Sequence, residues 1–210
     1  MGFTKETIIN ALALLGWSTE NEIFSIDELI ESFKLENVQK AAAVFDLKRF
    51  NWVSSQQLAK LDENGFFEVI KPFMENEDIN EDYPNYKKIL LAMRTSKTNL
   101  KDIAHATRPF FFELDGYDEK GVKKFLNESL ETLTFALEVL SKLTEWNETE
   151  LDMALIKVRD YFNLPIPKVN QPMRIALVGS TVSPSLGLTL ELFGKEKSLE
   201  RIQKAIDFIS

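Results

Sequence analysis

Apolar positions recur every three or four residues along most of this chain, so the dominant signal is helical and not the alternation of a half-buried strand. Ile8, Ile9, Leu12 and Leu15 share one helical face, and Gly16-Trp17 closes that segment. Ser25 followed by Glu28 has the spacing of a capping box and predicts a short helix through Leu29, Ile30 and Phe33. Residues 36–45 are alanine-rich. Ser54 and Gln57 repeat the capping-box spacing and predict a second helix start, carrying Leu58 and Leu61. Phe66, Phe67, Val69, Ile70 and Phe73 form an apolar stripe, and the acidic stretch over 75–83 reads as a solvated loop.

The second half has the same period. Helices are predicted over 86–93 and 100–112, then a long amphipathic one over 119–143 with Val122, Phe125, Leu126, Leu130, Leu133, Leu137 and Leu140 on its apolar face. Asn147 with Glu150 opens the next, and Pro165 and Pro167 end that region. A short apolar segment covers 171–178. Ser183-Pro184 pairs an N-cap residue with proline at the first helical position, and that helix should stop at Gly194. A final helix covers 198–209. No hairpin signal, internal repeat or low-complexity segment interrupts the series. The expected fold is all-α, with short helices in a cage-like, non-bundle arrangement of two or three helical subdomains.

Composition narrows the chemistry. Of 210 residues, 44% are hydrophobic, which suits a globular protein. The net charge is −8, there is no cysteine, and His105 is the single histidine. Disulfides, cysteine nucleophiles and Cys- or His-rich metal sites are thereby excluded, and no metal site is expected. No apolar run approaches the roughly 20 residues that span a bilayer. No signal-peptide pattern opens the chain, and Glu6 stands where a myristoylation motif requires Ser or Thr. The expectation is a cytoplasmic, monomeric protein that binds neither membrane nor DNA.

Catalytic motifs fail on inspection. Gly187 and Gly194-Lys195 have the wrong glycine spacing for a phosphate loop, Glu196 replaces the Mg²⁺-ligating hydroxyl, and the pair follows a helix instead of preceding one. His105 has no G-x-S-x-G nucleophile to serve, and the carboxylates are scattered over helix faces. Trp17, Trp52 and the triplet Phe110-Phe111-Phe112 read as core.

An ordered series of segments carries a resemblance. Residues 2–17, opening Gly2-Phe3-Thr4-Lys5-Glu6 and ending Leu15-Gly16-Trp17, resemble a block that follows the catalytic domain of bacterial-type glutamyl-tRNA synthetases. Glu22-Ile23-Phe24-Ser25 and Val44-Phe45-Asp46-Leu47-Lys48, with Asn51-Trp52 behind, are similar to the next blocks. The tail resembles the family most closely, through Gln171-Pro172-Met173-Arg174-Ile175-Ala176-Leu177-Val178-Gly179, Ser183-Pro184 and Leu190-Glu191-Leu192-Phe193-Gly194-Lys195-Glu196. The matches run in order from the first residues to the last.

The resemblance implies a tRNA-binding, anticodon-recognising C-terminal module of a class I glutamate–tRNA ligase. It implies a helical stem-contact region over about 1–60 and anticodon-binding subdomains over about 61–115 and 116–210. The partner would be tRNA for glutamate, with tRNA for glutamine as an extension. The ATP motifs are absent from these residues, so ATP and Mg²⁺ would belong to a catalytic domain preceding Met1, and this chain would hold no cofactor. The alternative is a helical protein-interaction or structural module that has lost RNA recognition, which the −8 charge favours.

Candidate tRNA contacts follow from the same blocks. Arg94 and Lys97 bring positive charge close together in sequence. Arg174 can fork two hydrogen bonds to a phosphate or base edge. Ser183 and Pro184 are expected to open a helix whose free amides face an anion, with Leu186 as an apolar surface for a splayed base. At Ser96 many family members carry an arginine that discriminates the third anticodon base, and a hydroxyl cannot replace that fork. The departure implies relaxed discrimination, or substitution by Arg94 or Lys97. Ser54-Ser55-Gln56-Gln57 is a second departure, where the family often has Asn and an aromatic.

Overall fold

The computed structural model describes residues 2–17, 19, 21–39 and 44–210. The centre of the alanine-rich stretch, 40–43, lies outside the described residues. The chain divides into two compact units, Met1–Thr107 and Arg108–Ser210. Both are helical, and among the described residues the only β-type pairing is an isolated bridge between Trp17 and Val38.

In the first unit, local caps set most helix starts. Thr4 Oγ1 accepts from Thr7 N at 3.1 Å and opens α1 (Lys5–Ala13). Ser25 and Glu28 form the expected capping box at the head of α2 (Ile26–Ser32). The second expected box does not form. Asp46 caps instead, accepting from Lys48 N at 2.8 Å, and α3 (Leu47–Lys60) runs through Ser54 and Gln57. Those two side chains are buried on the inner face of α3. Ser54 Oγ donates to Thr98 O at 2.5 Å, and Gln57 Nε2 donates to Asn10 Oδ1 at 2.7 Å and Phe24 O at 2.8 Å. Two residues before Ser54, Trp52 sits on the outer face, 41% exposed, so it is not core. Trp17 is buried as expected, against Phe24 and Phe33. Asp62 opens α4 (Glu63–Glu75), α5 (Tyr86–Met93) has the bounds its spacing predicts, and α6 (Leu100–Phe111) spans the division.

Asn10 is the polar centre of this unit. Its Nδ2 donates to Glu22 O at 2.9 Å, while its Oδ1 accepts from Phe24 N at 3.2 Å and from Gln57. One amide therefore ties α1, the 22–24 segment and α3 together. Asn10→Leu would leave the buried Phe24 N–H without its acceptor and remove one of the two acceptors of Gln57 Nε2, and should lower stability by about 2 kcal/mol in urea denaturation.

The second unit surrounds one apolar core. Leu133, Leu140, Val158, Met173, Leu177, Leu190 and Ile202 meet there, drawn from five helices. The single helix expected over 119–143 is broken in two. A short α7 (Glu119–Gly121) continues as a π-helical turn, Val122–Leu126, and α8 (Leu130–Ser141) starts anew. Ser129 Oγ donates to Leu126 O at 2.6 Å, offering that carbonyl a partner outside the helical ladder. Leu126, Leu133 and Leu140 are buried on either side of the break, while Leu130, at the head of α8, is 40% exposed.

Asn147 caps α9 (Glu148–Phe162) by accepting from Glu150 N, as its spacing predicts. Pro165 and Pro167 follow the end of α9, as expected, and also begin the next helix. Proline suits a first turn, where no N–H partner is available anyway. The apolar 171–178 segment is thus part of α10 (Ile166–Val178). Gly179, at φ +73°, ends that helix in a left-handed conformation costly for a side chain. α11 (Leu186–Phe193) and α12 (Lys195–Ile209) meet at Gly194, where the sequence predicts the stop. α11 starts later than expected: Ser185, not Ser183, is its N-cap residue.

Candidate functional site

The residues singled out in sequence separate between the two units. Arg94, Ser96 and Lys97 follow α5 in the first. Arg174 lies on α10 in the second, with Ser183, Pro184 and Leu186 in and after the loop that joins α10 to α11.

In the first unit, Arg94 is committed to structure. Its Nη2 donates to the carbonyls of Leu58 and Leu61 at the end of α3, and its guanidinium lies 5.2 Å from the centre of the Phe66 ring. Those carbonyls have no helical partner, and a cation suits the negative end of a helix. Ser96 N donates to Met93 O at 2.9 Å, and its Oγ is buried without a hydrogen-bond partner among the described residues. Lys97 is exposed.

In the second unit, Arg174 builds a local structure with the loop. Its Nη1 donates to Ser183 O at 2.7 Å, Ser183 Oγ at 2.7 Å and Pro184 O at 2.8 Å. Thr189, fully buried on α11, donates from Oγ1 to Ser185 O at 2.9 Å and lies 3.1 Å from Ser183 Oγ. Ser183 therefore serves as a hub between helices, not as a helix cap. Arg174 is half-buried, and desolvation pushes its guanidinium below its ordinary value. An arginine so placed stays charged at neutral pH.

One edge of this guanidinium is engaged and another is not. Among the described residues, no hydrogen bond engages Nε or Nη2 of Arg174. That edge presents parallel donors at the spacing of carboxylate, phosphate or base-edge acceptors. The protein has fixed its orientation beforehand, through Nη1.

Leu186 does not supply the expected apolar surface. It is 3% exposed and belongs to the core, because the helix begins with it and turns it inward. The exposed apolar side chain is Val182, at 43%, which the spacing of the sequence does not distinguish from its neighbours. The Asp152 carboxylate packs against the start of α11: a Cβ at Gly187 would run into Asp152 Oδ1. Desolvation and the adjacent Glu148 push the Asp152 carboxyl upward, while the nearby Gly187 backbone N–H opposes them.

Among the described residues, no group of His, Asp or Glu side chains is placed to hold a metal ion, and no helix is long and apolar enough to cross a membrane. The exposed His105 imidazole lies 3.3 Å from Glu77 Oε1.

Comparison with known proteins gives this architecture relatives. The glutamate–tRNA ligase of Thermodesulfovibrio yellowstonii is 33% identical over 215 residues, covering 98% of this chain and 46% of its own length. Glutamate–tRNA ligase 2 of Thermoanaerobacter pseudethanolicus is also 33% identical, over 99% of this chain and 45% of its own. A crystal structure of a glutamate tRNA ligase from Elizabethkingia meningosepticum matches with a TM-score of 0.81 at 29% identity, over 100% of this chain and 42% of that one. The chain thus spans about half the length of the curated relatives it matches. The family described as the anticodon binding domain matches residues 65–206, a span that includes Arg174, its loop and the helices that hold them. With that match covering more than half of the chain, this protein belongs to the anticodon-binding domain family.

Proposed function

We propose that this chain is a tRNA-binding module that reads an anticodon loop, with tRNA for glutamate as its partner. The observation that carries the reading is the family match over 65–206, which encloses a preoriented arginine with an open donor edge. Anticodon bases are unstacked, and their edges are accessible to such a group. The match favours recognition of RNA over a helical interaction module. Activation of glutamate, with ATP and Mg²⁺, belongs on this reading to the catalytic part of a ligase. The protein would be cytoplasmic and monomeric.

The net charge of −8 does not oppose this. Phosphate contacts act locally, within a screening length of about 8–10 Å. At Ser96 no guanidinium is available for the third anticodon base. Arg94 is held by the α3 carbonyls, which leaves Lys97 as the nearby cation. This supports relaxed discrimination between tRNAs for glutamate and glutamine.

The test is a titration of labelled tRNA for glutamate at low and moderate salt, beside a copy with its anticodon bases replaced and beside tRNA for glutamine. Binding should weaken with salt and with base replacement, and the two natural tRNAs should bind within a few-fold of each other. Equal binding to the natural and base-replaced copies would exclude anticodon reading. No binding at either salt would exclude the tRNA reading of this chain altogether.

A further inference from the structure

The loop after α10 is held from several elements. Arg174 fixes its Ser183-Pro184 portion, and Glu148 Oε1, on α9, accepts from Ser185 Oγ at 2.5 Å. The segment that leads into α7 is seated against the start of the same loop. Asp118 N donates to Gly179 O at 2.8 Å, and a Cβ at Gly179 would lie 2.7 Å from Gly116 O. Gly121 continues this close approach: a Cβ there would lie 3.0 Å from Cδ1 of Ile175, the residue after Arg174. Asp118 Oδ2 accepts from Gly121 N at 2.6 Å and fixes the turn. Packing takes up the inner side of this segment, where Gly121 and Leu126 are buried and Val122 and Phe125 lie against the core.

Lys120, Lys123 and Lys124 occupy its outer side, spaced three and four apart, and all three are exposed. Most other cations of this unit have partners. Lys142 pairs with Glu138, Arg159 with Asp160, Lys168 with Glu128, and Lys197 and Lys204 with Glu113. Among the described residues, Lys120, Lys123 and Lys124 form no ion pair, and Lys124 Nζ lies 5.0 Å from the centre of the Phe125 ring. The carboxylates beside them in sequence are Asp118, which caps Gly121, and the exposed Glu119. Like charges at these spacings repel, so the three lysines do not serve the stability of the turn. Cations gathered on one face attract phosphates. We propose that Lys120, Lys123 and Lys124 contact phosphates of the bound tRNA. Arg174 and Ile175 are successive residues of α10, one holding the loop and the other carrying the lysine segment, so both cationic groups flank the same helix. This rests on the tRNA reading above. It divides the work, with base edges carrying selectivity and phosphates carrying salt-dependent affinity.

The experiment titrates tRNA for glutamate, and the copy with replaced anticodon bases, into three proteins over a series of salt concentrations. These are the parent chain, the triple variant Lys120→Gln, Lys123→Gln, Lys124→Gln, and the single variant Lys157→Gln. Lys157, exposed on α9 and likewise without an ion pair among the described residues, controls for a bare loss of surface charge. The triple variant should weaken binding of both RNAs by the same factor, on the order of tenfold at moderate salt, and flatten the slope of log K against log salt by about 2–3. The ratio between the two RNAs should persist, and Tm should not fall, because repulsion within one turn is relieved. Lys157→Gln should leave affinity and slope as they are in the parent. Parent-like affinity and slope in the triple variant would overturn the proposal. A loss confined to the intact tRNA would also overturn it, since that would report base reading instead of phosphate contact. An equal effect per lysine from Lys157→Gln would overturn it as well, because net charge alone would then suffice. If the parent binds neither RNA, the tRNA reading fails and this inference fails with it. If the parent binds both RNAs alike, anticodon reading fails, while the slope of the triple variant still decides the lysine contacts.

Discussion

Arg174→Ala is expected to weaken binding of tRNA with an intact anticodon by about 100-fold, equivalent to about 2.7 kcal/mol. Two contributions add. The unengaged Nε and Nη2 edge is lost as a fork, and a good bidentate contact to a base edge is worth about 1–3 kcal/mol of discrimination. The Nη1 bonds to Ser183 O, Ser183 Oγ and Pro184 O are lost as well, so the loop must be ordered on binding. Arg174→Lys should recover little, because an ammonium supplies a point charge and cannot serve the loop and a second planar partner together. Titration of both variants against the intact and base-replaced tRNAs is the check, with circular dichroism establishing that the helices persist. A loss shared equally by both RNAs would assign Arg174 to phosphate contact alone.

Arg201→Ala is expected to be the most destabilising single change considered, at about 3–5 kcal/mol. The side chain is 2% exposed. It donates from Nη1 to Leu177 O and from Nη2 to Phe112 O at 2.7 Å, joining the end of α10 to the segment after α6, and it lies 4.5 Å from the centre of the Phe193 ring. Removing it leaves two carbonyls without their donor and a cavity beside an aromatic ring. Desolvation pushes the guanidinium down to about 10, with Glu200 and Tyr117 opposing that shift. The unfolded guanidinium therefore holds its proton more tightly than the folded one. Below pH 10 both states are protonated and the burial cost is complete; it diminishes only as pH rises above about 10. At neutral pH the hydrogen bonds and ring contact must offset that cost in full. Thermal unfolding should show the change as a drop in Tm of roughly 10 °C. A drop of only a degree or two would mean that the cavity collapses and the carbonyls find water.

The candidate site was partly legible in sequence. Arg174, Ser183 and Pro184 are brought together as a unit, although nine residues separate the arginine from the serine. The role of Ser183 was not legible. A serine before a proline has the local signature of a helix cap, yet this one receives Arg174 and approaches Thr189, which displaces the start of α11 to Leu186. Leu186 is turned inward by the same displacement. Glu148 carries no local mark at all, since acidic residues in the first turn of a helix are ordinary. Only its hydrogen bond from Ser185 distinguishes it.

Interactions within one turn of chain were determined by the sequence alone. The all-α class, the caps at Ser25 and Asn147, the bounds of α5 and the stop at Gly194 depend on residues three or four apart, which meet whatever the rest of the chain does. The tertiary structure decided where distant groups compete for the same backbone or the same charge. Arg94 reads as a free cation beside Lys97, but the α3 carbonyls 33 and 36 residues away take it. Ser54 and Gln57 read as a cap, but Thr98, Asn10 and Phe24 claim their side chains and α3 runs through them. The 119–143 stripe reads as one helix, but a π-turn and the Ser129 bond to Leu126 O divide it, and Leu130 at the head of the second piece is left 40% exposed. In each case the local preference is worth about 1 kcal/mol, and burial of a side chain or pairing of an otherwise unsatisfied polar group outweighs it.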